Sequence, residues 1–119
     1  MAKILYADAD LVVGSTYRQT LERAGHTVRS CRLVAEARAA LREGGIEAVL
    51  CGWKFEDGIG REVILAAKEA GLPVAVISGA VGEAFQAPEP LADYYLEKPV
   101  SLPELVSLVG EMLGMTKAD

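Results

Sequence analysis

The chain has 119 residues and a formal net charge of −5, with just over half its residues apolar, a length and balance that suit one soluble domain built on one core. Its twelve Lys and Arg residues are scattered, which argues against nucleic acid, whose partners neutralise phosphates with clustered basic side chains. No apolar run approaches the roughly 20 residues of a membrane span, and the opening MAKILYAD reaches an aspartate too soon for a signal peptide, so a cytoplasmic location is expected.

Taken in chain order, Ile4 to Ala7 reads as a buried strand that delivers Asp8 at its end. Helical spacing follows, with Val13, Tyr17, Leu21 and Ala24 on one face and Gly25 as the stop. His26 opens the second strand, Thr27 to Cys31, as a surface or structural residue. The second helix carries Val34, Ala37 and Leu41 and stops at Gly44 and Gly45. A third strand, Ala48 to Cys51, leads into Gly52, Trp53 and a turn on Asp57, Gly58 and Gly60. Trp53 is expected at the strand's end, partly exposed. The strand period of two turns Cys51 away from that end into a helix-covered layer, and Cys31 and Cys51, lacking CxxC spacing, read as buried thiols.

The third helix places Val63, Ala67 and Ala70 together and stops at Gly71. Pro73 to Ile77 is the fourth strand, ending at Ser78. In the following VGEAFQAPEPLAD, Pro88 and Pro90 remove donors and clash with a preceding turn, which limits any helix to Val81 through Gln86. A short or irregular fourth helix is predicted. Tyr94 to Leu96 forms the fifth strand and delivers Lys98 and Pro99. The last helix opens on the capping box Ser101-Leu-Pro-Glu104, buries Leu105, Val109 and Met112, and is expected to end at Gly114. This gives one domain over residues 1–114 and a polar tail over 115–119.

Strand and helix alternate throughout, so an α/β fold is predicted, with a doubly wound parallel sheet of five strands and helices on both faces. In such sheets chemistry gathers at the carboxyl ends of the strands. Asp8, Gly52, Ser78 and Lys98 all fall there.

The segments KILYADAD, CGWKFEDGIG, AVISG and YYLEKPV together resemble the receiver domain of bacterial two-component response regulators, the CheY-like (βα)5 fold of flavodoxin type. The resemblance implies phosphoryl transfer to an aspartate at the end of the third strand, assisted by a divalent metal held partly by an acidic pair after the first. Such transfer needs an in-line oxygen nucleophile, a cation and donors for the developing charge, and magnesium prefers carboxylate oxygen. By position, Asp8 matches the first acidic residue, but Ala9 stands at the second, with Asp10 one residue later. Gly52 stands at the phosphoacceptor position. Glu56 replaces a usual proline, and Ile59 a frequent acidic residue. Ser78 and Lys98 match the phosphoryl contacts, and Tyr95 the aromatic switch.

Without the second and third carboxylates, Asp8 and Lys98 can neutralise each other as a partly buried ion pair, with no metal. The leading expectation is therefore a degenerate pseudo-receiver: a non-enzymatic signalling domain working through protein–protein interaction. No cofactor is expected, and weak Mg2+ binding at most. The family docks partners through its fourth-helix, fifth-strand and fifth-helix face, here Tyr94, Tyr95 and the helix from Leu102 to Leu113; a homodimer is one form such docking takes. Two alternatives remain open. A phosphorelay receiver would use Glu56 or Asp57 as a surrogate acceptor, with Asp8 and Asp10 holding Mg2+. A ligand-binding module would admit a small anion beside Ser78 and Lys98, although no GxxxxGK[ST] loop is present.

Overall fold

The computed structural model describes residues 2–79, 81–85 and 92–116. Seven strands and five helices occur among them: β1 (Lys3–Ala7), α1 (Leu11–Arg23), β2 (Thr27–Cys31), α2 (Val34–Glu43), β3 (Ala48–Cys51), β4 (Lys54–Phe55), β5 (Gly58–Ile59), α3 (Gly60–Glu69), β6 (Val74–Ser78), α4 (Val81–Phe85), β7 (Tyr94–Glu97) and α5 (Leu102–Thr116). The main sheet runs β2-β1-β3-β6-β7 with every pair parallel. This is the five-stranded parallel α/β sheet that the alternation predicts, with the flavodoxin-like fold that the resemblance implies.

Alternation along the strands divides the core into two layers, because successive side chains on a strand point to opposite faces. Leu5, Ala7, Val49, Cys51, Val74 and Val76 pack against α2, α3 and α4. Ile4, Tyr6, Ala48, Leu50, Ala75 and Ile77 pack against α1 and α5. Both faces of the central strands are covered, which is why they read as continuous apolar runs. Among the described residues, no helix is long and apolar enough to cross a membrane.

The structure departs from the sequence reading at several helix ends. Helix α1 stops at Arg23, and the Gly25 turn, with φ of 98°, leaves Ala24 exposed outside the helical stripe. In α2 the buried stripe is Val34, Ala37 and Ala40, with Leu41 half-buried at its edge. Ala70 is the exposed C-cap of α3. Helix α5 continues through Gly114 to Thr116; one glycine near a helix end costs only about 1 kcal/mol against alanine and does not force a stop. Helix α4 is the short segment expected, and Pro88 and Pro90 lie outside the described residues. The turn after β3 proves to be a small antiparallel hairpin, β4 with β5.

Candidate functional site: the carboxyl rim

The parallel sheet brings the predicted residues to one edge. Ala7 pairs with both Cys31 and Cys51, so Asp8 and Gly52 leave adjacent strands side by side, and the Gly52 amide donates to the Ala7 carbonyl at 2.8 Å. On the far side, the Lys98 amide donates to the Ser78 carbonyl at 3.2 Å. The Lys98–Pro99 peptide is cis.

Asp8 is the electrostatic centre of the rim. Its side chain is only 8% exposed, and Lys98 Nζ lies 2.6 Å from its Oδ2. The same oxygen accepts the Tyr6 hydroxyl at 2.8 Å, while Oδ1 accepts the Asp10 amide at 3.0 Å. One carboxylate thus holds three donors, one of them a full positive charge, and buried charge is tolerated when it is so compensated. Tyr6 in turn is pushed far above the ordinary phenol range, first by burial and then by the charge and hydrogen bond of Asp8. The phenol is therefore a committed donor at any physiological pH.

Tyr6 reaches Asp8 because residues two apart on a strand share a face. Its ring lies under α1 beside Gly14, where a Cβ would make an ordinary van der Waals contact with Tyr6 Cε1 at 3.4 Å. Tyr17, one helical turn further, packs its ring 6.0 Å from that of Tyr6. The Tyr17 hydroxyl accepts the Val100 amide at 3.0 Å. Two tyrosines and one ion pair thereby tie the segment after β7 to β1 and α1. Neither tyrosine stood out in the sequence as part of the rim; the readable signal was the period of two between Tyr6 and Asp8.

Gly52 and Gly60 have different reasons to be glycine. Gly52 is not among the positive-φ glycines, and a Cβ there would meet Asp8 Oδ1 at 3.3 Å, with its nearest backbone atom at 3.9 Å. Nothing in the local backbone excludes a side chain. Gly60 is the opposite case. A Cβ there would overlap the Gly52 carbonyl oxygen and crowd Trp53 Cα and Cε3 at 3.2 Å each, and the Gly60 amide donates to the Trp53 carbonyl at 2.6 Å. This close approach folds the hairpin back over the indole. Trp53 is consequently buried, not partly exposed at the rim, and it joins Phe55 in the layer under α2 and α3.

Two of the other acidic residues singled out in the sequence, Asp10 and Asp57, have structural partners. Asp10 caps α1: its Oδ1 accepts the Val12 amide at 3.1 Å, the N-cap to N2 bond that satisfies an orphan donor. Asp57 reaches across from the hairpin to the start of α2, accepting the Val34 amide at 2.8 Å and the Ala35 amide at 3.1 Å. Those two amides hold its carboxyl below the usual carboxylate range. Glu56 is exposed in the hairpin turn. Among the described residues, no three His, Cys, Asp or Glu side chains are grouped so as to hold a metal ion. The residues present therefore do not fit the divalent ion that the resemblance implies: Ala9 offers no ligand atom, and Asp8 is occupied by donors.

Ser78 is buried at the end of β6, and Tyr95 is half-buried, its hydroxyl accepting the Ala92 amide at 3.1 Å. Tyr94, Tyr95 and Leu96 on the edge strand, with Glu104, Ser107, Leu108 and Glu111 of α5, line an open groove of about 290 Å³. Cys51 is buried behind the rim and its thiol is pushed up to about 12 by burial; Cys31, half-buried, is pushed up to about 11 for the same reason.

No model of a known protein family matches the chain. It is 31% identical over 110 residues to the swarming motility regulation protein RssB of Serratia marcescens, covering 89% of this chain and 50% of that protein. It is 32% identical over 120 residues to the DNA-binding transcriptional regulator NtrC of Rhizobium meliloti, covering 98% of this chain and 25% of that one. The chain thus spans half or less of the length of these relatives. Among solved structures, a response regulator receiver protein from Sinorhizobium medicae superposes with a TM-score of 0.85 at 28% identity, over 97% of this chain and 96% of that one. A CheY-like receiver domain protein from Methanospirillum hungatei gives 0.88 at 24% identity, over 98% and 97%.

Proposed function

We propose that this chain, a receiver domain of the bacterial response-regulator (CheY-like) type, is a pseudo-receiver: a signalling module that does not accept phosphate by the aspartyl route and acts by binding a protein partner. The observation that carries the reading is Gly52. It occupies the strand end where an acceptor carboxylate would stand beside Asp8; its φ does not require a glycine, and a Cβ there would meet the Asp8 carboxylate at 3.3 Å before any backbone atom. The site lacks the nucleophile, Ala9 stands at the position of the second acidic residue, and Lys98 is the counter-ion of Asp8. A domain of this kind has no phosphoryl ligand with which to shift its conformational equilibrium, so its states are distinguished by partners instead.

Asp57 is a poor surrogate acceptor, since both its oxygens are engaged at the start of α2. The groove along Tyr94, Tyr95 and α5 supports the docking role, because it joins partly buried aromatic and aliphatic surface to a polar rim of Glu104, Ser107 and Glu111, the composition typical of interfaces. The reading is tested by incubation with a small acyl phosphate and Mg2+, followed by intact-mass measurement and peptide mapping. No phosphoryl adduct is expected. A stoichiometric adduct on Glu56 would replace the reading with that of a phosphorelay receiver using a displaced acceptor.

A further inference from the structure

The rim poses a question that loss of two carboxylates does not answer. Asp8 remains, and a lone buried carboxylate at a sheet edge is still a ligand for a hard cation. Its Oδ2 carries two donors, Lys98 Nζ at 2.6 Å and the Tyr6 hydroxyl at 2.8 Å. Its Oδ1 carries the Asp10 amide at 3.0 Å, and the remaining approach to Oδ1 faces position 52, where a Cβ would lie 3.3 Å away. A carboxylate offers about four acceptor directions, so three are filled from within the chain. We propose that Tyr6 is a cation-excluding residue: its buried phenol fills the Asp8 oxygen that Lys98 shares and closes it to divalent metal.

The geometry supports a placed donor over an incidental contact. Tyr6 is 3% exposed, and its ring is packed against that of Tyr17, with centroids 6.0 Å apart. Phenylalanine would fill the same space without the hydroxyl. To bind Asp8 through Oδ2, a metal must displace a charge-assisted hydrogen bond from a buried phenol, which would be left without its acceptor. Lys98 alone is a weaker barrier, because its longer, 18%-exposed side chain can swing towards water. Tyr6 has no such escape.

The inference rests on reading positions 9 and 52 as vacated carboxylate positions, and the test separates the two. Mn2+ affinity is measured by the paramagnetic resonance of the free ion for Ala9→Asp/Gly52→Asp, for the same protein with Tyr6→Phe added, and for the same protein with Tyr17→Phe added. Tyr17→Phe removes a comparable buried hydroxyl that serves Val100 and not Asp8. Adding Tyr6→Phe is expected to tighten Mn2+ binding about tenfold, and adding Tyr17→Phe to leave it within about twofold. Equal affinity with and without Tyr6→Phe, or equal tightening by Tyr17→Phe, overturns the inference and leaves the reading of the vacated positions intact. Failure of all three proteins to bind Mn2+ overturns that reading, and the inference with it. Should the doubly restored background lack native circular dichroism, the same comparison is made on Gly52→Asp alone.

Discussion

Replacing Lys98 with methionine keeps most of the aliphatic stem and strands the Asp8 carboxylate beneath it. At 2.6 Å and an effective dielectric of about 20, the gross attraction between the two charges is about 6 kcal/mol. Desolvating both ions cancels most of that, and breaking a buried pair typically costs about 3–5 kcal/mol because one charge is left uncompensated. Here Tyr6 and Asp10 still serve the carboxylate, and Lys98 keeps 18% of its side-chain surface in water, so the lower end applies: about 3 kcal/mol. Asp8→Asn should cost a similar amount, whereas Asp8→Asn/Lys98→Met should cost much less than the sum, with a coupling energy of about 2 kcal/mol. The assay is urea denaturation followed by fluorescence of Trp53, the single tryptophan, which is buried in the core and reports its exposure on unfolding. Single variants that each lose under about 1 kcal/mol and combine additively would refute the ion pair as the organising contact of the rim.

Two further predictions follow from the hairpin and the strand end. Gly52→Ala should change stability by less than about 1 kcal/mol, since its Cβ meets only ordinary or slightly tight contacts, whereas Gly60→Ala should cost about 3 kcal/mol or more by forcing the hairpin off Trp53; comparable costs in denaturant melts would show that Gly52 is a backbone requirement. Asp57→Ala should lower the thermal midpoint by uncapping α2. Because the native carboxyl of Asp57 is depressed by the Val34 and Ala35 amides, its contribution is present above the unfolded-state value of about 3.9 and is lost as pH falls through the lower native one. The midpoint gap between wild type and Asp57→Ala should therefore close in acid, and a gap that widens there would refute the capping role.

Much of the architecture was legible in the sequence because it depends on short-range pattern. Continuous apolar runs separated by helical spacing define five strands covered on both faces, and the alternation alone implies a parallel sheet. The same order places Asp8, Gly52, Ser78 and Lys98 at strand ends, so the rim and its acid–base pair can be read from a line of letters. A glycine at a strand end, however, has the same letter whether it relieves a turn or merely lacks a side chain. Only the fold separates Gly52, whose Cβ would meet a side-chain carboxylate, from Gly60, pressed against the Gly52 carbonyl.

What the tertiary structure alone decided are contacts between residues distant in sequence. Asp57 caps a helix that begins 23 residues earlier, so an acid that the sequence shows only as a turn residue is a structural one. Trp53 is buried because the β4–β5 hairpin and α3 close over it, which no local periodicity announces. Tyr6 and Tyr17 look like core aromatics by spacing, and they are, but their hydroxyls find Asp8 and Val100 only once α1 and α5 pack on one face of the sheet. Periodicity determines which way a side chain points; what its polar tip meets is decided by the packing of elements that the sequence keeps apart.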